Sequence, residues 1–180
     1  VASLLMDPAL LEPFITTSFS LFKSGQYQES EILLSKLINK ETLSDSLSQL
    51  VHYQIGMSQF HLKNYEAAGT SLEKAILINW DKSLSEDAYF NQLVALENRG
   101  SFDILLSKTK DFLRQYPRSK HLTQLNNIIV HAISESSIQS TGIHQVKEFF
   151  TYNYLATEEF KKAYQERAYA LAIELLDQPD

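Results

Sequence analysis

The five histidines are the first residues to consider for chemistry, because imidazole is both a common metal ligand and a common general base. They occupy positions 52, 61, 121, 131 and 144. A helical zinc-hydrolase site needs two histidines four residues apart on one face, and no pair here has that spacing. The nine-residue separation of His52 and His61 is a poor fit to a shared ion. The spacing predicts ordinary helix residues and no metal site.

Other catalytic arrangements are also missing from the sequence. The five glycines stand singly, so no glycine-rich loop is present to hold a phosphate. The chain has no cysteine to act as a thiol nucleophile and no Gly-x-Ser-x-Gly elbow to present a serine. Glu158 and Glu159 form a carboxylate pair, but acids in the first turn of a helix also stabilise its N-terminus. We therefore predict neither enzymatic activity nor a cofactor.

One short stretch of the chain is basic. Its members are Lys108, Lys110, Arg114, Arg118, Lys120 and His121. Such a stretch suits an acidic partner or a phosphate, and it equally suits the C-terminal end of a helix, where the helix dipole favours cations. Both interpretations stay open. The formal net charge of the chain is −6, which argues against nucleic acid as a partner.

The composition predicts a folded, helical protein. Apolar residues make up 44% of the 180-residue chain and charged residues 21%, which is ordinary for a chain with a core. Only 5 glycines and 4 prolines are available for the many tight turns that an all-β fold would need. The length fits either one domain or a solenoid of about four to five helical pairs.

Apolar runs are too short to predict a membrane-spanning helix, which needs roughly 20 apolar residues. The first eleven residues have no basic leader and include Asp7, so we do not expect a signal peptide there. Zero cysteines are compatible with a reducing cytosol and with an oxidising periplasm. The cytoplasm and a bacterial periplasm or cell envelope both stay open as compartments.

A polar turn followed by an aromatic residue recurs along the chain. The aromatic residues are Tyr27, Tyr65 and Phe102, at spacings of 38 and 37 residues. Apolar residues at helical spacing flank each turn, which predicts a helix-turn-helix unit used three times. Gly25 and Gly100 suit the left-handed position that ends a helix, and we expect Asn64 to take a similar conformation at the second turn.

The second unit, residues 52–79, resembles a full tetratricopeptide (TPR) repeat. In that family a small residue such as Gly56 lets two helices approach closely, Tyr65 fills the hairpin, and Ala68 and Ala75 let successive hairpins stack. The resemblance covers about residues 9–118. It implies an all-α fold, a right-handed superhelical solenoid of antiparallel helix pairs. The three hairpins would span about 9–40, 47–80 and 85–117.

Several positions depart from the family pattern. His52 and Gln59 replace larger apolar residues, Trp80 stands where proline is frequent, and Leu93 takes the place of a small residue. The family period is 34 residues, so the extra residues near 41–46 and 80–85 must lengthen the loops or the helices.

The remaining residues, 119–180, predict a degenerate fourth hairpin and a capping helix within one continuous solenoid domain. A helix over about 119–135 and another over 144–154 would form the hairpin, and Thr157 would begin the cap. The segment 112–119 also resembles repeat ends of bacterial cell-envelope TPR proteins.

The resemblance also implies a binding groove, because the first helix of each TPR hairpin lines the concave surface. The residues that would line it are Ile15, Phe19, Lys23, Tyr53, Met57, Phe60, His61, Phe90, Asn91, Val94 and Asn98. Such an apolar, aromatic surface suits an amphipathic helix or an extended peptide. Aromatic residues at helical spacing also build cores. For Phe19 and Phe60, a place in the core and a place in the groove are equally expected.

Three functions are compatible with these observations. The first is an interaction scaffold that binds a partner protein or peptide in the groove. The second is a structural component that self-associates through its end repeats, which would make it a homo-oligomer. The third, least favoured, is a helical-repeat enzyme, for which the groove offers few titratable groups.

Overall fold

A computed structural model of the protein describes residues 8–40, 43–135 and 165–166. Within these ranges the regular structure is α-helical and contains no strand, so the all-α prediction is confirmed there. Seven helices with defined bounds lie in this part of the chain. They are α1 (Pro8–Lys23), α2 (Tyr27–Lys40), α3 (Asp45–His61), α4 (Tyr65–Ile78), α5 (Lys82–Arg99), α6 (Phe102–Gln115) and α7 (Leu122–Glu135).

Helices α3 and α5 begin two to three residues earlier than the sequence pattern predicts, because each has a side-chain cap. The Ser44 hydroxyl accepts a hydrogen bond from an N–H of the first turn of α3 at 3.4 Å. One Asp81 carboxylate oxygen accepts two such bonds in α5, at 2.8 and 3.2 Å. A cap satisfies N–H groups that have no partner inside the helix. Part of the extra length near 41–46 and 80–85 therefore extends α3 and α5.

The turns after α1, α3 and α5 close with the same pair of backbone hydrogen bonds. At the first turn, the Gly25 N–H donates to the Phe22 carbonyl at 3.0 Å and the Gln26 N–H to the Leu21 carbonyl at 2.9 Å. The equivalent pairs are Lys63 to Phe60 with Asn64 to Gln59, and Gly100 to Glu97 with Ser101 to Leu96. This is the Schellman arrangement, which satisfies carbonyls at a helix end.

Gly25 and Gly100 have φ angles of +81° and +73°, as predicted for these turns. The expectation for Asn64 is wrong. Lys63 takes the left-handed conformation at the second turn, with φ +61°. Asn64 has φ −86° and instead caps α4, accepting a bond from the Ala67 N–H at 3.4 Å. The amide of Asn64 is thus used to begin the next helix rather than to end the previous one.

The chain divides into two compact units, Val1–Ala95 and Leu96–Asp180. In the first unit, one core cluster joins α2 and α3 and is covered by apolar side chains of α1. Its buried members are Leu34, Leu37, Val51 and Ile55. A second cluster joins α4 to α5 and consists of Leu72, Ala75 and Ala88. Half-buried side chains of α3 pack on this second cluster.

Helices α3 and α4 approach closely at Gly56, as expected for a small residue at this position. A Cβ atom on Gly56 would lie 2.7 Å from Leu72 Cγ and 3.2 Å from the Leu72 backbone nitrogen. Leu72 is fully buried, so its side chain has little room to move away. Glycine is therefore required for this packing.

Two glutamines of α3 tie the helices of the first unit together. The fully buried side chain of Gln49 donates to the Asp81 carbonyl and accepts from the Asp81 N–H. Gln59 donates from Nε2 to Glu31 of α2 at 2.8 Å and accepts from the Ser71 hydroxyl of α4 at 2.8 Å. The polar residue that departs from the TPR pattern at position 59 thus links α2, α3 and α4.

In the second unit, α6 packs against α7. The buried apolar residues of α6 are Leu105, Leu106, Phe112 and Leu113, and those of α7 are Leu125, Ile128, Ile129, Ala132 and Ile133. The helix predicted over about 119–135 is thus confirmed as α7. The predicted helix over 144–154 and the start of the capping helix at Thr157 lie outside the described residues. Among the described helices, none is long and apolar enough to cross a bilayer.

Candidate binding surface

The predicted groove residues of α1 lie on the first core cluster with part of their surface accessible. Ile15 and Phe19 are half-buried and pack against the cluster that contains Val51 and Ile55. Lys23 is exposed at the end of α1. The two apolar residues therefore serve the core and still present part of their side chains to solvent.

Tyr53 and Met57 lie one helical turn apart on α3 and pack against the second cluster. Both are half-buried. The Asn91 amide of α5 donates to the Tyr53 hydroxyl at 3.2 Å and to the Asp87 carbonyl at 2.9 Å. This bond fixes the Tyr53 ring against α5 and joins the predicted contributions of α3 and α5.

Five rings form an aromatic cluster beside the turns that follow α1 and α3. Its members are Phe22, Tyr27, Phe60, His61 and Tyr65. The His61 ring, which belongs to an exposed residue, stacks on Tyr27 with centroids 4.3 Å apart and planes 7° apart. Phe60 is half-buried and meets Tyr65 edge to face at 5.4 Å. The predicted groove residues Phe60 and His61 are thus held in place by neighbouring rings rather than projecting freely.

The predicted residues of α5 differ in accessibility. Phe90 is buried, with 8% of its surface exposed, and Val94 is half-buried. Asn98 is exposed but belongs to the second unit. On α5, the side chains of Asn91 and Val94 are therefore more accessible to solvent than that of Phe90.

Within the first unit, two contacts join α1 to α3 and α3 to α5 beside the predicted residues. Phe22 of α1 contacts His61 of α3 at 5.4 Å, and Tyr53 of α3 bonds Asn91 of α5. We call this set the α1–α3–α5 face. Its members are Ile15, Phe19, Lys23, Tyr53, Met57, Phe60, His61, Asn91 and Val94. It combines apolar and aromatic side chains with Lys23, His61 and Asn91.

The basic stretch of the second unit is partly used within its own helix. Arg114 lies in the last turn of α6 and pairs with Asp111 at 3.2 Å. Both side chains are well exposed, so the pair contributes little to stability. The position of Arg114 agrees with the interpretation that cations favour a helix C-terminus.

One histidine pairs with an acid in the second unit. The His131 ring nitrogen Nδ1 lies 2.8 Å from Glu97 Oε1, and Phe102 meets the ring edge to face at 5.6 Å. The sequence contained no signal for this pair, since the two residues are 34 positions apart. Among the described residues, no group of three or more His, Cys, Asp or Glu side chains is placed to hold a metal ion.

Sequence reasoning also missed the partners that hold the face in place. The Tyr27 ring packs on Phe22 of its own hairpin and also stacks on His61 of the next one. Gln49 was not singled out at all. A polar residue on an apolar helix face is the only signal in the sequence for such a buried amide.

Comparisons with known proteins do not assign a family. A scan against models of protein families finds no match. A search of curated protein sequences finds no match either.

Proposed function

We propose that the protein is a TPR-like interaction module that binds a partner peptide or amphipathic helix on the α1–α3–α5 face. The observation that carries the proposal is the Tyr53–Met57 surface. These side chains pack on the core from one side, stay half-exposed on the other, and are joined to α5 through Asn91. Aromatic and methionine side chains give large contact areas that adapt to a ligand.

The geometry of the turns supports a repeated architecture. The three Schellman turns recur at the 38- and 37-residue spacings of the sequence pattern. The ring pairs Phe22–Tyr27 and Phe60–Tyr65 are equivalent, with centroids 5.1 and 5.4 Å apart and planes at 69° and 66°. Two hairpins built from the same contacts favour stacking of like units, which is how solenoids form binding surfaces.

The chemistry of the face limits the class of partner. Lys23 is its one side chain with a full positive charge at neutral pH, and it carries no acid. A partner with two or more apolar anchors at helical or alternating spacing, and an acid near the Lys23 end, is the complement of this surface.

Affinity capture from a lysate of the source organism tests the proposal. The test variant is Met57→Gln with Phe60→Glu, which makes this part of the face polar and places a negative charge at position 60. The matched control is Ile32→Gln with Leu77→Glu, because these residues are apolar and exposed on α2 and α4. Thermal melting must first show that both variants fold.

We expect the test variant to lose a partner that the wild type and the control both retain, with the affinity of the purified pair falling at least about tenfold. If the test variant retains the partner and the control loses it, the proposal is wrong and the binding surface lies on α2 and α4.

Self-association is the second candidate, and one observation favours it. Leu77 and Trp80 lie near the end of α4 with 77% and 66% of their surfaces exposed. Exposed large apolar residues often mark contact sites. Trp80 is the single tryptophan of the chain, so its fluorescence reports directly on this region. A blue shift on increasing protein concentration, matched by a larger mass in light scattering, would support self-association, and a constant spectrum with a monomer mass would exclude it.

A further inference from the structure

A polar pocket lies between α2, α3 and α4, in the first unit and apart from the α1–α3–α5 face. Its volume is about 210 Å³. Its walls are Ser35, Ile38 and Asn39 of α2, His52, Ile55 and Gln59 of α3, and Ser71 and Lys74 of α4. Sites for drug-sized ligands are roughly 300–1,000 Å³, so this pocket has room only for a small ligand.

Unused hydrogen-bond donors line this pocket on all three helices. In the described part of the chain, the side chains of Ser35, Asn39, His52 and Lys74 make no hydrogen bond or ion pair within the protein. Gln59 and Ser71 instead bond to each other across α3 and α4, which fixes that wall of the pocket. Four unused polar groups that converge from α2, α3 and α4 are available to a ligand.

The charge in the pocket is positive. Lys74 is the one lining residue with a full charge at neutral pH. Burial lowers the pKa of the His52 imidazole, and the Lys74 ammonium lowers it further. Glu31 is tied to the lining, since its carboxylate accepts a bond from Gln59, and it is not itself part of the wall. Lys36 and Glu73, on α2 and α4, are also outside the lining.

We propose that this pocket binds a small organic anion through its carboxylate or phosphate group. The Lys74 ammonium and the His52 imidazole would contact the oxyanion, since both donate hydrogen bonds and an ammonium favours negative charge. Ser35 and Asn39 would bond its remaining polar atoms. The apolar faces of Ile38 and Ile55 leave room for a short carbon skeleton. The site shares no residue with the proposed partner-binding face, so either stands without the other.

The histidine side chains of the isotope-labelled full chain provide the test by NMR. Inorganic phosphate and acetate are titrated separately, with sodium chloride keeping the ionic strength constant, and His52→Gln identifies the His52 signals. We expect the His52 signals to shift and saturate with at least one of the two anions. We also expect the pH midpoint of His52 to rise in its presence, because a bound anion stabilises the imidazolium form.

Saturation with phosphate alone would identify a phosphate ester as the ligand class, and saturation with acetate would identify a carboxylate. Lys74→Gln should weaken the binding by about tenfold or more, the loss expected for one charge-assisted hydrogen bond. Lys36→Gln is the matched control, because Lys36 is exposed on α2 outside the pocket, and it should leave the affinity unchanged. Shifts that do not saturate with either anion, or that are equal at His61, would overturn the proposal.

Discussion

The Gln49 side chain bonds both the backbone N–H and the backbone carbonyl of Asp81. Its amide oxygen accepts from the Asp81 N–H at 2.7 Å, and its amide nitrogen donates to the Asp81 carbonyl at 3.1 Å and to the Ser85 hydroxyl at 2.8 Å. The Asp81 carboxylate in turn caps α5. One buried amide on α3 therefore fixes the point at which α5 starts.

Replacing Gln49 by leucine should destabilise the protein by about 1–3 kcal/mol, because the Asp81 N–H loses its acceptor and the fully buried Ser85 hydroxyl loses its donor, while the Asp81 carbonyl keeps its bonds from Ser85. Chemical denaturation followed by circular dichroism measures this change. Gln54→Leu on the same helix is the control, since the Gln54 side chain makes no hydrogen bond within the described residues. Its expected effect is within about 0.5 kcal/mol. Equal effects of the two substitutions would show that the Gln49 bonds do not stabilise the fold.

Two glycines inside helices should respond in opposite ways to alanine. At Gly69 a new Cβ meets nothing within 4 Å, so Gly69→Ala should stabilise by about 0.5–1 kcal/mol through helix propensity. At Gly56 the Cβ would meet Leu72 at 2.7 Å. Gly56→Ala should therefore destabilise by about 1–2 kcal/mol, because overpacking outweighs the gain in propensity. Unfolding free energies of both variants test this pair, and stabilisation by Gly56→Ala would contradict the close approach of α3 and α4.

The second Schellman turn offers a stabilising substitution. Lys63 has φ +61°, a conformation that costs a residue with a Cβ about 1–2 kcal/mol. Lys63→Gly should stabilise by about 0.5–1 kcal/mol once the greater entropy of glycine in the unfolded chain is subtracted. The reverse change, Gly25→Ala, should destabilise by about 1 kcal/mol, because φ is +81°. No neighbour lies within 4 Å of the new Cβ, so no packing contact offsets this cost. If the melting temperatures of Lys63→Gly and Gly25→Ala do not shift in opposite directions, the left-handed conformation of these turns is contradicted.

The stability of the protein should decrease as the pH decreases through the range where His52 titrates. Burial first, and the Lys74 charge second, lower the pKa of His52 in the folded state. Below the unfolded value of about 6.5 the unfolded chain binds the proton more readily, so unfolding becomes easier as pH decreases until the folded pKa is passed. Above about pH 6.5 the effect of this group vanishes.

His52→Gln should flatten the pH dependence of stability in this range, and Lys74→Gln should reduce it in part. Denaturation at a series of pH values measures both. His61→Gln, at an exposed position, serves as the control. A profile for His52→Gln that is as steep as the wild type would contradict the account.

The sequence allows prediction of features that depend on neighbours along the chain. The helical pattern, the left-handed turns at Gly25 and Gly100 and the apolar side of α7 all follow from local spacing and residue type. The left-handed turn at Lys63 does not, because the residue type disfavours it and the repeated hydrogen bonds of the turn impose it.

Features that depend on distant residues could not be predicted in the same way. Gln49 finds Asp81 across 32 positions, and the pocket with His52 and Lys74 exists only once three helices have packed. Among the candidate site residues, the α5 positions show the difficulty most clearly. Phe90 and Asn91 are neighbours in sequence, yet one is buried and the other lies half-exposed against Tyr53. Helical spacing gives the angle between two side chains but not which of them meets the neighbouring helix.

Site-specific photocrosslinking tests whether a partner binds to the α1–α3–α5 face. A photoreactive phenylalanine analogue replaces Phe60 on the α1–α3–α5 face in one protein and the exposed Leu77 of α4 in another. Each folded protein is illuminated in a lysate of the source organism, with and without excess unlabelled wild type. We expect a discrete adduct with one partner from position 60, suppressed by the wild-type competitor, and none from position 77. Absence of a competed adduct at position 60, whether or not one forms at position 77, would contradict the proposal.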